Sequence, residues 1–154
     1  MKRIVILGAT GSIGRSALEV VKHHPEQFEV VGLAAGSNVS LLEAQLRHHP
    51  HAMFTVCDSA ALASILSSDP SLHSRSMGCG DASILQLIAQ TRPDVVLNAF
   101  IGFVGLQPAL FCLQNRIAVA LANKEAIVTA GEILTHASAA SATPIIPVDS
   151  EHAA

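Results

Sequence analysis

Two carboxylates at alternate positions, Asp149 and Glu151 in "PVDSEH", have a spacing that implies chemistry. In extended backbone, side chains alternate with a period of two, so both would project to one side. Carboxylates that close repel one another unless solvent, protons or a cation intervenes. A hard divalent ion such as Mg²⁺ or Mn²⁺ is the cation that oxygen donors select. Taken alone, D-x-E reads more simply as a solvated acidic loop. His152 reads as an exposed or capping histidine, and His23 and His48 fall at helix ends, where positive charge is tolerated.

At the other end, "ILGATGSIG" places Gly8, Gly11 and Gly14 three residues apart, directly after the first aliphatic run. Gly8 would allow a tight turn, Gly11 would let backbone approach a pyrophosphate, and Gly14 would let a helix pack closely on a sheet. The amides of Thr10, Gly11, Ser12 and Ile13 would then face phosphates at the positive end of that helix. This context of strand, glycine turn and amphipathic helix is the one that the dinucleotide fingerprint demands. An NAD site carries a carboxylate after the second strand. This chain has Gly36, Ser37 and Asn38 there, with room and hydrogen-bond donors, so NADP is favoured.

A third cluster, Asn123, Lys124 and Glu125 in "LANKEA", follows the strand "IAVAL". It offers an amide, an ammonium and a carboxylate at a strand's carboxyl end, the functional edge of such folds. The simpler reading is a helix start, with Asn123 as cap and Glu125 in the first turn.

These groups need a scaffold, and the pattern supplies one. "RIVIL", "FEVVGLAA", "AMFTV", "PDVVLNA", "IAVAL" and "PIIPVD" read as strands. Between them lie helices predicted at Ser12 to His24, Val39 to His48, Ala60 to Leu66, Ala82 to Gln90, "GLQPALFCLQN", and from "ANKEA" to about His136. On the first helix, Ile13, Ala17, Leu18, Val20 and Val21 form the expected apolar side. "SSDPSLHSRSMGCG" is the expected exposed, mobile stretch, with a weak strand or loop in "SRSMGCG". Alternating strands and helices predict a Rossmann-like, doubly wound α/β fold, its mostly parallel sheet covered on both faces. Residues 1–147 would form that domain, and 148–154 the start of a second.

Composition narrows the function. The chain has 154 residues, half of them hydrophobic and 14% charged, with a net charge of −3. That is a globular balance with no basic footprint for nucleic acid. No apolar run suits a membrane span, and "MKRIVILG" reads as a first strand, not a signal or transit segment. Cys57, Cys79 and Cys112 lack C-x-x-C pairing and suit reduced cytoplasmic thiols. With no tyrosine there is no Tyr-x-x-x-Lys pair, which removes short-chain dehydrogenase chemistry.

Together, "GATGSIG", "AGSN", "LANKEAIV" and "PVDSEH" run through the chain in order and resemble the 1-deoxy-D-xylulose 5-phosphate reductoisomerase family. The resemblance implies that Thr10, Gly11, Ser12 and Ile13 match the pyrophosphate loop, and Gly36, Ser37 and Asn38 the 2′-phosphate turn, where the family often has lysine at the position of Ser37. It implies further that Asn123 and Glu125 match cofactor contacts and Lys124 a substrate contact. Asp149 and Glu151 match metal ligands, with Ser150 and Glu151 also touching substrate. The implied cofactors are NADPH and Mg²⁺, Mn²⁺ or Co²⁺. The implied reaction rearranges a ketose phosphate and reduces it to 2-C-methyl-D-erythritol 4-phosphate in isoprenoid synthesis. Lys124 and Glu151 would be the catalytic groups, the ammonium supplementing a Lewis-acidic metal electrostatically. The nicotinamide would lie near "NAFIGFVG". Family members are homodimers and much longer, so this chain is expected to be the cofactor-binding part of a cytoplasmic or plastid-type enzyme, inactive by itself.

Two other readings compete. An aspartate-semialdehyde-dehydrogenase-like NADP enzyme would need a nucleophilic cysteine in an electropositive, accessible site. A non-catalytic dinucleotide sensor would have no use for a metal at Asp149 and Glu151.

Overall fold

The computed structural model describes residues 1–122 and 124–148, the side chains of 124–127 and 129 excepted. Seven strands form one sheet: β1 (Lys2–Leu7), β2 (Phe28–Ala35), β3 (Met53–Val56), β4 (Ser76–Cys79), β5 (Val95–Asn98), β6 (Ala118–Leu121) and β7 (Ile145–Pro147). Six α-helices connect them: α1 (Ser12–His23), α2 (Val39–His48), α3 (Ser59–Ser68), α4 (Asp81–Thr91), α5 (Leu106–Gln114) and α6 (Lys124–Ser141). The spatial order is β4-β3-β2-β1-β5-β6-β7, and every pairing is parallel. This is the Rossmann-like doubly wound arrangement that the sequence predicts.

Both faces of the sheet are buried because β-branched and aliphatic residues occupy both sides of the central strands. From β1, Ile6 packs with Leu18, Val21, Leu42 and Leu46 beneath α1 and α2, while Val5 and Leu7 pack with Leu87, Leu113 and Leu121 on the opposite face. Strand order reverses at β1: β2 to β4 extend to one side and β5 to β7 to the other. The crevice at the carboxyl ends of β1 and β5 is therefore the topological switch point, where ligands of this fold class sit.

Three local expectations are corrected. On α1 the buried seam is Gly14, Leu18 and Val21, spaced four and three residues apart. Ile13 and Val20 are exposed, because they lie about a third of a turn off that seam. The stretch expected to be mobile folds into a 3₁₀ turn, Pro70–Arg75, and the edge strand β4. Leu72 is buried there, and the Arg75 guanidinium donates to the carbonyls of Ala52 (2.9 Å), His49 (2.7 Å) and Leu46 (3.2 Å). Finally, α6 runs on to Ser141 instead of stopping near His136, through a kink at Ala130.

Candidate functional site

The first βα turn is built by close backbone packing. The amides of Gly8 and Ala9 both donate to the Ala34 carbonyl at 2.9 Å, joining the turn to β2. Gly8 has a φ of +84°, and a Cβ on it would stand 2.6 Å from the Ala99 carbonyl oxygen. A Cβ at Gly14 would stand 2.3 Å from the Gly8 oxygen. The fold itself therefore demands bare backbone at both positions. Gly11 differs: its Cβ would meet only the Gly8 oxygen, at 3.3 Å, and Gly36 would meet nothing within 4 Å. Their bareness leaves open space at the crevice.

Gly11 caps α1 with extended backbone and supplies no side-chain cap. Its amide donates to the Gly8 carbonyl at 3.0 Å, which withdraws one of the four amides expected to face a phosphate. Among the described residues, Thr10, Ser12 and Ile13 have no acceptor for theirs. Unpaired amides at a helix start, with the positive end of the helix behind them, make an anion-binding geometry.

Beside this turn, Gly36 and Ser37 lead into α2, which Asn38 caps. Asn38 Oδ1 accepts the Leu41 amide at 3.2 Å, so its Nδ2 is the part left to donate. Gly36 also borders a cavity of about 260 Å³ at the carboxyl ends of β2 and β3, closed by Cys57, Gly80, Asp81, Ile101 and Val104. A larger groove, about 760 Å³, separates α1 from α2.

Two residues that the sequence reading passed over hold the site together. Buried Gln45 on α2 donates from Nε2 to the Ala9 carbonyl at 2.8 Å. Asn98, fully buried at the end of β5, donates from Nδ2 to the Gly105 carbonyl at 2.6 Å, fixing the 3₁₀ turn Gly102–Gly105 over the crevice. The sequence held a signal for each: Gln45 lies on a helix stripe with Leu42 and Leu46, and Asn98 ends an apolar strand.

Lys124 opens α6 at the carboxyl end of β6, and Glu125 follows it, but their side chains lie outside the described residues. Asn123, Asp149, Ser150, Glu151 and His152 lie wholly outside them. The described residues next to them meet at one edge: the Val148 amide donates to the Leu121 carbonyl at 3.0 Å, and the Ala122 amide to the Asn98 carbonyl at 3.0 Å.

Cys57 and Cys112 offer no activated nucleophile. Cys112 is buried in α5, and burial pushes its thiol up to about 12. Cys57 is exposed, but partial burial and its hydrogen bond to Asp58 raise its pKa. Cys79, expected in a flexible loop, ends β4. No helix among the described residues is long and apolar enough to cross a membrane.

Fold and site define a doubly wound, Rossmann-like domain with a glycine-rich first βα turn. A family model described as 1-deoxy-D-xylulose 5-phosphate reductoisomerase matches residues 4–131, and the chain belongs to that family. Reductoisomerases from Rhodococcus jostii and Bacteroides fragilis are 45% and 40% identical to it, each over 99% of this chain and 36% and 39% of their own length. Among solved structures, the magnesium complex of a DOX-P reductoisomerase superposes with a TM-score of 0.89 at 29% identity, covering 99% of this chain and 38% of that one. The Zymomonas mobilis reductoisomerase in complex with NADPH gives 0.88 at 29% identity, covering 98% and 39%. The chain thus spans less than two-fifths of these relatives.

Proposed function

We propose that this chain is the NADPH-binding part of a 1-deoxy-D-xylulose 5-phosphate reductoisomerase. The observation that carries the reading is the set of unpaired amides at Thr10, Ser12 and Ile13, beside two glycines whose missing Cβ atoms leave space that the fold does not fill. A pyrophosphate fits that cradle. The 2′-phosphate would lie at Gly36, Ser37 and Asn38, where the Asn38 Nδ2 and the Ser37 hydroxyl can donate and the turn itself carries no carboxylate. Family membership and the Zymomonas mobilis complex with NADPH support the same assignment.

Residues 1–147 form the cofactor domain in this reading, and 148–154 begin the catalytic one. Asn123 and Glu125 contact the cofactor, and Lys124 the substrate sugar phosphate. Asp149 and Glu151 supply hard oxygen donors suited to Mg²⁺, Mn²⁺ or Co²⁺, and Ser150 and Glu151 touch substrate. A bound divalent ion contributes Lewis acidity toward substrate oxygens. The Lys124 ammonium adds positive charge at the same edge, and the turn that Asn98 fixes shields the nicotinamide side from water. The whole enzyme is a cytoplasmic homodimer, and this chain alone does not turn over substrate.

The test is ketose-phosphate-dependent oxidation of NADPH by the complete enzyme, with and without a chelator. Oxidation that needs both substrate and divalent metal supports the reading, and its absence with metal restored overturns it. No observation favours the dehydrogenase-like alternative: Cys57 borders the cavity beside Gly36, but its thiol pKa is raised, the opposite of an activated nucleophile.

A further inference from the structure

A phosphomonoester carries between one and two negative charges at neutral pH, and the turn Gly36-Ser37-Asn38 offers it donors but no cation. The neighbouring helices hold a candidate. Among the described residues, the lysine and arginine side chains of α1 and α2 sort by partner. Lys22 stands 3.7 Å from Glu19, and Arg47 pairs with Glu43, whose other oxygen accepts from the Ser68 hydroxyl. Arg15 has neither ion pair nor side-chain hydrogen bond, although Glu19 lies one turn further along the same helix.

Its position matters as much as its freedom. Arg15 is the fourth residue of α1 and Leu41 the third of α2, and both line the groove between the two helices. Both helices start from the same edge of the sheet, so at 1.5 Å per residue both residues lie within about 6 Å of it. Leu41 belongs to the first turn of α2, the turn that Asn38 caps. Arg15 is exposed and, among the described residues, unpaired, so its guanidinium is available to an anion at the adjoining turn.

We propose that Arg15 is a specificity-determining residue that supplies from α1 the positive charge for the 2′-phosphate, which the turn after β2 lacks. The inference rests on the NADPH reading above. A guanidinium presents paired N–H donors matched to phosphate oxygens, and its charge does not depend on pH. Discrimination between NADPH and NADH would then arise from two elements: Ser37 and Asn38 as neutral donors, Arg15 as the cation.

The experiment titrates the protein and its Arg15→Gln and Arg15→Lys variants with NADPH and NADH, following nicotinamide fluorescence. The expected result is that Arg15→Gln weakens NADPH binding about tenfold, leaves NADH within about twofold, and keeps the thermal midpoint. Arg15→Lys should recover part of the loss, and rising salt should narrow the wild-type preference. Equal weakening of both nucleotides, or no change in either, overturns the role of Arg15 while leaving the dinucleotide site standing. A wild-type protein that binds neither nucleotide overturns the underlying reading instead.

Discussion

The side-chain amide of Gln45 donates to the backbone carbonyl of Ala9 at 2.8 Å, tying the second turn of α2 to the middle of the glycine loop. The two residues are 36 positions apart. Gln45 is 7% exposed and its Oε1 has no partner among the described residues, so the contact is kept despite a cost in unmet polar capacity. It is a second tie on the loop, beside the bonds of Gly8 and Ala9 to Ala34. Gln45→Ala should therefore destabilise the protein by about 1–3 kcal/mol, since it orphans the Ala9 carbonyl and opens a gap. The measurement is a denaturant melt. A loss below about 0.5 kcal/mol would show that the loop does not depend on this tie.

The glycines of the site divide into two classes, and substitution should separate them. Gly14→Ala places a methyl 2.3 Å from the Gly8 oxygen, so it should lower the thermal midpoint sharply or prevent folding. Gly36→Ala meets nothing within 4 Å and should leave the midpoint nearly unchanged. NADPH affinity should nevertheless fall with Gly36→Ala, because the added methyl would enter the space proposed for the 2′-phosphate. Unchanged affinity in that variant would move the 2′-phosphate away from this turn.

Thiol chemistry offers a separate check on the dehydrogenase-like alternative. Cys112 is fully buried with its pKa pushed up to about 12, so alkylation of the native protein at pH 8 should spare it until denaturant is added. Cys57 is exposed, but its raised pKa should make it slower than a free thiol. Mass spectrometry of modified peptides reads both. A thiol that reacts much faster than free cysteine would restore a nucleophile to consideration.

Stability should decline toward acid in two stages. Burial, with His48 and Arg75 nearby, lowers the His49 pKa from 6.5, so the unfolded chain binds that proton more readily. The destabilisation therefore begins as pH falls through about 6.5 and grows until the lower folded value is passed. The second stage belongs to two helix-capping carboxylates. The Ala61 amide, then the Cys57 thiol, hold Asp58 below 3.8, and the Ser71 hydroxyl and amide do the same for Asp69. Their contribution is complete above 3.8 and is lost as pH falls through the folded values. Melting as a function of pH should show His49→Gln flattening the upper stage and Asp58→Asn, which retains a cap, flattening the lower. A His49→Gln profile that overlays the wild type would contradict the first assignment.

The sheet and its helices were legible because long strands such as Val30–Ala35 and Val95–Asn98 are apolar on both sides, and helix stripes such as Leu42, Gln45 and Leu46 repeat at three and four residues. The glycine loop was legible because its spacing has a steric cause, seen at Gly8 and Gly14. Less could be read where tertiary contacts override local composition. Residues 67–80 look like a polar loop, yet Arg75 organises them by donating to three carbonyls distant in sequence. Periodicity also misplaced Ile13 and Val20, since hydrophobicity alone does not say which side of α1 meets the sheet. Gln45 and Asn98 act through partners that no local pattern discloses.

The central claim is that the first βα turn and the turn after β2 hold a dinucleotide, and amide chemical-shift mapping tests it most directly. A ¹⁵N-labelled protein titrated with NADPH should show its largest shifts at Thr10, Ser12, Ile13 and Gly36–Asn38, with smaller ones at Gly102–Gly105. Shifts of similar size confined to the groove around His48 and His51, or no saturable shifts at all, would contradict it.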